Sequence, residues 1–238
     1  CYSDRIYTNL DGCKARQRRS TELLEAQRGR ITVETMMDAL RDHGPKADDD
    51  PTWNPGKGLF TDTLCVHASM GPLRPSQTTG AMVAHLVPDL PTFWLTGTSA
   101  PCTGIFKPVH LGGAGLPKLG PEPTGIYNPQ SLWWTHERLH RTVIRDYASR
   151  LHLYREQREA LEASFVIEAE EMRARLRSVS PAERPAHLKA FAVSCFDRAA
   201  DATSRWTGAV SSAPVKKRPS LIFSLAWDIL NRQAKFER

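Results

Sequence analysis

The stretch between residues 63 and 110 decides the fold class. It contains four short runs rich in Val, Thr, aliphatic and aromatic residues: TLCVHAS (63–69), TGAMVAHLV (79–87), TFWLTGT (92–98) and GIFKPVH (104–110). Proline and glycine divide these runs, which is typical of short strands joined by turns. We therefore predict a mostly antiparallel sheet in this part of the chain.

Helical patterning flanks the predicted sheet. Upstream, RSTELLEAQ (19–27) and ITVETMMDALRDHG (31–44) have helical periodicity, and the apolar residues of the second segment fall on one stripe. Downstream, Asn128 and Pro129 form the expected start of a helical pattern that continues to about residue 177. That length exceeds a typical globular helix, so we expect a break or an antiparallel pair. Further helices are predicted from Ser180 and over the final amphipathic segment.

The chain is therefore predicted to belong to the α+β class, in two parts. The first part, residues 1–127, contains the upstream helices and the antiparallel sheet, and it ends in a loop rich in Gly and Pro. The second part, residues 128–238, is a long helical C-terminal region that we expect to pack on the first.

Composition restricts the possible partners. The chain has 238 residues and a net charge of +6, but its basic residues are interleaved with acidic ones along most of its length. Nucleic-acid-binding proteins usually carry a focused basic face, so we do not expect nucleic acid as a partner. No apolar run approaches the roughly 20 residues that span a bilayer, so we expect no membrane contact either.

The cysteines favour a reducing compartment. Five are present without a CxxC pair, which argues against a disulfide scaffold and against a Cys-rich zinc site. We therefore expect a cytoplasmic protein. Cys65 is predicted to be a buried, inert thiol within a strand. Cys102 follows a proline in a loop and is a possible nucleophile, although no histidine lies near it in the sequence.

The segment His136-Glu137-Arg138-Leu139-His140 matches the zinc-peptidase pattern HExxH. In such enzymes two histidines one helical turn apart bind zinc, and the glutamate activates a metal-bound water. Here no GxxH sequence follows His140 to supply a third histidine. Glutamates further along the chain could supply a third ligand, but such glutamates are expected on any charged helix. The two histidines also share a stripe with aromatic and aliphatic residues. These observations favour helix packing over a metal site.

Two polar clusters mark the apparent strand ends, SQTTG (76–80) and LTGTSAPC (95–102). Hydroxyls and backbone N–H groups of this kind can hold a carbonyl oxygen in an active site. They also form ordinary turns, and the residues alone favour turns. The candidates for lining a substrate site are Ser76, Gln77, Thr78, Thr96, Thr98 and Ser99.

Several segments together carry a family resemblance: ITVETMMDALRDHG (31–44), LCVHAS (64–69) followed by SQTTGAMV (76–83), FWLTGTSAPCTGIFKPV (93–109) and LWWTHERLHR (132–141). In this order they resemble the secernins and related bacterial dipeptidases, over roughly residues 25–180. The resemblance implies part of an αββα sandwich of the N-terminal-nucleophile hydrolases. It also implies hydrolysis of short peptides or related amides without a metal or organic cofactor. The six residues named above are then the candidates for lining the substrate site. A homo-oligomer is a possible assembly, but the sequence does not give the oligomeric state.

Members of this family use a cysteine at the mature N-terminus, whose own α-amino group serves as the base. The opening segment CYSDRIYTNLDG (1–12) instead resembles an internal family segment. We therefore expect the nucleophile upstream of residue 1, with Cys1 as the less favoured candidate, and no activity from this portion alone. Two alternatives remain open: a zinc metallopeptidase that uses HERLH, and a non-catalytic secernin-like interaction protein.

Overall fold

A computed structural model describes residues 12–48, 50, 52–58, 62–70, 74–88, 90–111 and 116–236. The candidate nucleophile Cys1 lies outside the described residues. Within them the chain has a mixed α+β architecture, with one small antiparallel sheet and a helical C-terminal half, as the sequence predicts at this level. None of the helices in the described ranges is long and apolar enough to cross a membrane.

The elements follow one another in the order helices, sheet, helices. Before the sheet lie α1 (Cys13–Ala26), α2 (Val33–Arg41) and the single turn α3 (Pro45–Asp48). Thr32 caps α2 because its hydroxyl accepts from Thr35 N at 3.3 Å while the Thr35 hydroxyl accepts from Thr32 N at 2.7 Å. This reciprocal pair satisfies donors that the first helical turn leaves open, and fixes where α2 starts.

Three strands form the sheet, in the order β1 (Met82–His85), β2 (Thr92–Leu95) and β3 (Lys107–Val109). Both pairings are antiparallel, with Val83 opposite Trp94 and Phe93 opposite Val109. The run TLCVHAS (63–69), predicted as a strand, forms none. Its backbone instead bonds to two loops, through Cys65 N to Asp42 O at 3.0 Å and Thr78 N to Val66 O at 3.0 Å.

The helical half confirms the predicted break. Helix α4 (Leu132–Val143) passes through a 3₁₀ turn (Ile144–Asp146) into α5 (Tyr147–His152), and the long α6 (Arg155–Leu176) follows. Next come α7 (Arg184–Ser212) and α8 (Leu221–Gln233). Helices α6 and α7 are antiparallel neighbours, since Gln157 bonds Trp206 while Glu168 pairs with Arg198.

One main apolar core joins the sheet to these helices. Trp94 and Phe106 from the sheet region are buried with Phe165 of α6 and Trp206 of α7. A smaller cluster beneath α8 contains Ala68, Ile144, Phe223 and Trp227. The Trp227 indole N–H donates to Ala68 O at 3.0 Å, so α8 fixes the 63–69 segment from outside the main core.

His110 makes the stability of this fold depend on pH. It follows β3 and is 3% exposed, between Thr92 of β2, Phe191 of α7 and Arg173 of α6. Burial, and then the Arg173 charge, lower the pKa of His110 to about 4 from its usual 6.5. As the pH falls from 6.5 towards 4, the His110 ring takes up a proton in the unfolded chain but not in the folded chain. The free energy of unfolding therefore decreases across that range.

We expect the His110→Gln variant to lose less stability than the parent chain between pH 7 and pH 5, by about 2 kcal/mol. Urea unfolding at the two pH values measures this difference. The matched control is His187→Gln, which alters an exposed histidine of α7. If His110→Gln and the parent chain lose the same free energy of unfolding between pH 7 and pH 5, the His110 ring does not contribute to the pH dependence of stability.

Candidate functional site

Two cysteines and two histidines form one compact cluster. His43, Cys65, His67 and Cys102, hereafter the Cys–His cluster, place one ligand-type atom each within 4.8 Å of all the others. Three of the residues are buried and His43 is half-buried. They come from three separate segments: the residues just after α2, the 63–69 segment and the loop after β2.

His67 is the centre of the cluster. Its Nε2 lies 3.1 Å from His43 Nε2, 3.3 Å from Cys102 Sγ and 3.7 Å from Cys65 Sγ. One imidazole nitrogen has either one proton or one lone pair, so it cannot make three full hydrogen bonds at once. Ordinary hydrogen bonding therefore does not account for all three contacts to this nitrogen.

A second layer orients the His67 ring. Its Nδ1 lies 3.3 Å from His140 Nε2, and His140 Nδ1 lies 3.2 Å from a carboxylate oxygen of Glu137. Glu137 also accepts from the Ser99 hydroxyl and from Arg141 Nε, the latter at 2.8 Å. A continuous hydrogen-bonded chain thus runs from a fully buried carboxylate to the cluster, which fixes the rotation of both rings.

The backbone around Cys102 is held tightly. Ala100 adopts φ 48°, a left-handed conformation that is uncommon for a residue with a side chain. Its N–H donates to Thr78 O at 2.8 Å, and its carbonyl accepts from Thr103 N at 2.9 Å. The Arg158 guanidinium of α6 donates to Cys102 O. Strained backbone that surrounding contacts enforce is a recurrent feature of functional sites.

The protonation states follow from burial and from the neighbours. Burial lowers the pKa of His67 to about 4, so its ring is neutral at pH 7. Burial would raise the pKa of the Cys102 thiol, but the hydrogen bond from Cys65 and the nearby histidines outweigh it and lower that pKa. Burial and the adjacent Cys102 raise the pKa of Cys65. Burial likewise opposes ionisation of Glu137, but His140 and Arg141 lower its pKa to about 2.

The cluster forms part of the wall of an open cavity of about 1150 Å³. Cys102, His43 and Tyr147 lie on the cavity side of the cluster, whereas Cys65 and His67 do not line it. Helices α1 and α2 form one wall, and the start of α6 forms another. Arg155, the first residue of α6, is an exposed cation on this wall and has no carboxylate within salt-bridge distance among the described residues.

None of the six substrate-site candidates is among the residues that line this cavity. Thr96, Thr98 and Ser99 are buried, and their hydroxyls bond within the loop or to Glu137. The Thr78 hydroxyl accepts from Val66 N at 3.0 Å. Ser76 is exposed and Gln77 is half-buried. The hydroxyls of Thr96, Thr98 and Ser99 therefore make hydrogen bonds inside the protein.

The HERLH segment faces the protein interior, as the packing interpretation predicts. His136 is 4% exposed and its Nε2 lies 3.3 Å from the Thr103 hydroxyl. Both ring nitrogens of His140 contact other side chains, Glu137 and His67. Among the described residues, the group found with metal-ligand spacing is the Cys–His cluster, to which neither histidine of HERLH belongs.

Sequence reasoning missed His43 and His67 as functional candidates. The prediction that Cys65 is buried is confirmed, since the residue is 0% exposed. The expectation that Cys102 lacks a nearby histidine holds along the chain but is wrong in space, because His67 lies 35 residues away in sequence and 3.3 Å away in the fold. The available signal was the Cys-x-His spacing of residues 65 and 67.

Comparisons of the chain with protein-family models, with curated proteins and with solved structures found no match in any of the three.

Proposed function

We propose that the chain is part of a cysteine amidohydrolase of dipeptidase type, related to the secernins, and that the open cavity beside Cys102 receives a short peptide. In this proposal the sheet β1–β3 belongs to an αββα sandwich. The attacking cysteine comes from a segment N-terminal to Gly12. The described residues supply the substrate pocket and its supporting network.

One observation carries the proposal. The four segments that resemble the family are far apart in sequence, yet hydrogen bonds join them around one polar centre. Thr78 bonds the 63–69 segment and Ala100, and Ser99 of the third segment bonds Glu137 of the fourth. Buried polar networks are costly unless fully paired, so their concentration beside a cavity favours a functional site over simple packing.

The cavity wall also suggests how a peptide is recognised. Arg155 offers a guanidinium that can pair with the free carboxylate of a dipeptide. The other three arginines of the cavity wall are already engaged, Arg19 with Asp42, Arg41 with Glu162 and Arg158 with Cys102 O. A dipeptidase needs such a group to distinguish a free C-terminus from the interior of a longer chain.

The experiment is hydrolysis of a dipeptide panel by the full-length protein, with and without iodoacetamide. We expect alkylation to abolish turnover, with the modified cysteine located by mass spectrometry N-terminal to Gly12. Turnover that survives alkylation but is lost on chelation would favour a metallopeptidase and overturn the proposal. Absence of turnover with every dipeptide would favour a non-catalytic interaction protein.

Arg155→Ala tests the recognition step. We expect KM for dipeptides to rise about fivefold or more, because the variant loses a charge-assisted contact of roughly 1 kcal/mol in a solvated site. KM for the same dipeptides with an amidated C-terminus should not change, because the carboxylate is absent. Arg205→Ala, which removes an exposed arginine of α7 that does not line the cavity, is the matched control. Equal effects on free and amidated substrates would exclude a carboxylate contact.

A further inference from the structure

We propose that the Cys–His cluster is a zinc site, with His43, Cys65, His67 and Cys102 as the four protein ligands. This site is separate from HERLH, the zinc motif that the sequence offers. It also departs from what the family resemblance implies, since that resemblance calls for no metal. The inference does not depend on the proposed hydrolysis.

The spacing of the ligand atoms is the first argument. With Zn–S bonds of about 2.3 Å and Zn–N bonds of about 2.0–2.1 Å, the ligands of a tetrahedral centre lie roughly 3.3–3.8 Å apart. In the cluster, His67 Nε2 lies 3.1 Å from His43 Nε2, 3.3 Å from Cys102 Sγ and 3.7 Å from Cys65 Sγ. No pair of ligand atoms is more than 4.8 Å apart, so small side-chain adjustments complete the tetrahedron.

The chemistry of the donors is the second argument. Two thiolates and two imidazoles form a set that favours zinc among the common divalent ions, whereas magnesium and calcium require oxygen ligands. Both histidines present Nε2 to the same point, which leaves each Nδ1 free for an outer partner. A cation at that point also accounts for the crowding of three ligand atoms around one nitrogen of His67.

The outer layer is the third argument. His67 Nδ1 bonds His140, which bonds the buried carboxylate of Glu137. Metal-bound histidines usually donate their second nitrogen in this way, and the partner fixes the ring and raises its basicity. On the other side, His43 stacks on Trp53 with ring centroids 4.2 Å apart, which holds the less buried ligand in place.

The ligand set suits a structural centre. Four protein ligands leave no open position for a water or a substrate, in contrast to catalytic zinc sites. Cys102 and His43 line the cavity, and this gives the ion a route to the centre. The ion would connect the residues that follow α2, the 63–69 segment and the loop after β2.

The test is metal binding by the purified, reduced protein. We expect one equivalent of Zn²⁺ by mass spectrometry of the metal, and a rise in Tm of roughly 5–10 °C when zinc saturates the metal-free protein. Cobalt substitution should give the absorption of a tetrahedral ion together with thiolate charge-transfer bands. Less than half an equivalent of zinc, or a cobalt spectrum without thiolate bands, would overturn the proposal even if no variant were made.

Variants assign the ligands. We expect Cys65→Ser and Cys102→Ser to lower zinc affinity at least tenfold, and Cys195→Ser, a buried cysteine outside the cluster, to leave it unchanged. His136→Ala separates the two possible zinc sites. Zinc lost from His136→Ala but kept by Cys65→Ser would place the ion at HERLH and overturn the proposal. Zinc binding without dipeptide hydrolysis would contradict the proposed function only.

Discussion

Replacing Arg41 with methionine is expected to lower the free energy of unfolding by about 3–5 kcal/mol, because it leaves the buried carboxylate of Glu162 without its partner. The two side chains are 9% and 8% exposed and form a two-pronged pair, with both N–O distances at 2.7 Å. Burial alone would lower the pKa of Arg41, but the bonds to Glu162 outweigh it and raise that pKa. Urea unfolding at pH 7 measures the loss.

Arg41 also supports the loop that carries Cys102. It donates to Pro101 O at 2.9 Å and to Gly104 O at 3.3 Å, while Glu162 accepts from Phe106 N at 2.7 Å. The ion pair therefore connects α2 and α6 to the second half of this loop. We expect Arg41→Met to weaken zinc binding as well as stability, although it removes no ligand.

Two variants control this prediction. Glu162→Gln keeps an acceptor for Phe106 N but removes the charge. The double variant Arg41→Met/Glu162→Gln should therefore lose less free energy of unfolding than the two single variants lose in total. Arg198→Met breaks the more exposed pair with Glu168, for which we expect about 0–1 kcal/mol. If Arg41→Met and Arg198→Met lose similar free energies of unfolding, burial does not strengthen the Arg41–Glu162 pair.

The sequence predicts most of the secondary structure, because local patterning determines it here. The stripe of α2, the runs of β1 to β3 and the long periodic region after residue 128 all correspond to elements of the fold. The 63–69 run is the exception, since its apolar and β-branched residues predict a strand. It forms none because Asp42, Thr78 and Trp227 bond its backbone from three directions, and no local pattern encodes those partners.

The Cys–His cluster is much less predictable than these elements. Its members lie at positions 43, 65, 67 and 102, and only the pair in the 63–69 segment is close along the chain. Tertiary packing of α2 and of the loop after β2 brings the other two to the same point. HERLH shows the converse case, because its spacing matches a metal motif while its side chains pack against Thr103, Ser99 and His67.

Glu137→Gln is expected to destabilise the fold by about 3–5 kcal/mol, since it removes one partner of a buried ion pair. Glu137 is 0% exposed, and its carboxylate accepts from Arg141 at 2.8 Å, lies 3.2 Å from His140 Nδ1 and also accepts from Ser99. The neutral amide of glutamine has one acceptor oxygen for these three groups. Its two N–H donors would face groups that themselves donate hydrogen bonds. Urea unfolding, with Glu156→Gln on the exposed side of α6 as the matched control, measures the cost.

Zinc affinity measured on Glu137→Gln distinguishes two possible roles of the carboxylate. If Glu137 serves only the packing of α4, Glu137→Gln will lose stability but bind zinc as the parent chain does once it is folded. If the carboxylate also orients His67 through His140, zinc affinity will fall by about 10–100-fold, the usual effect of losing an outer partner of a metal ligand. We expect the second result, because the hydrogen-bonded chain from Glu137 ends on His67, whose Nε2 contacts all three other members of the cluster.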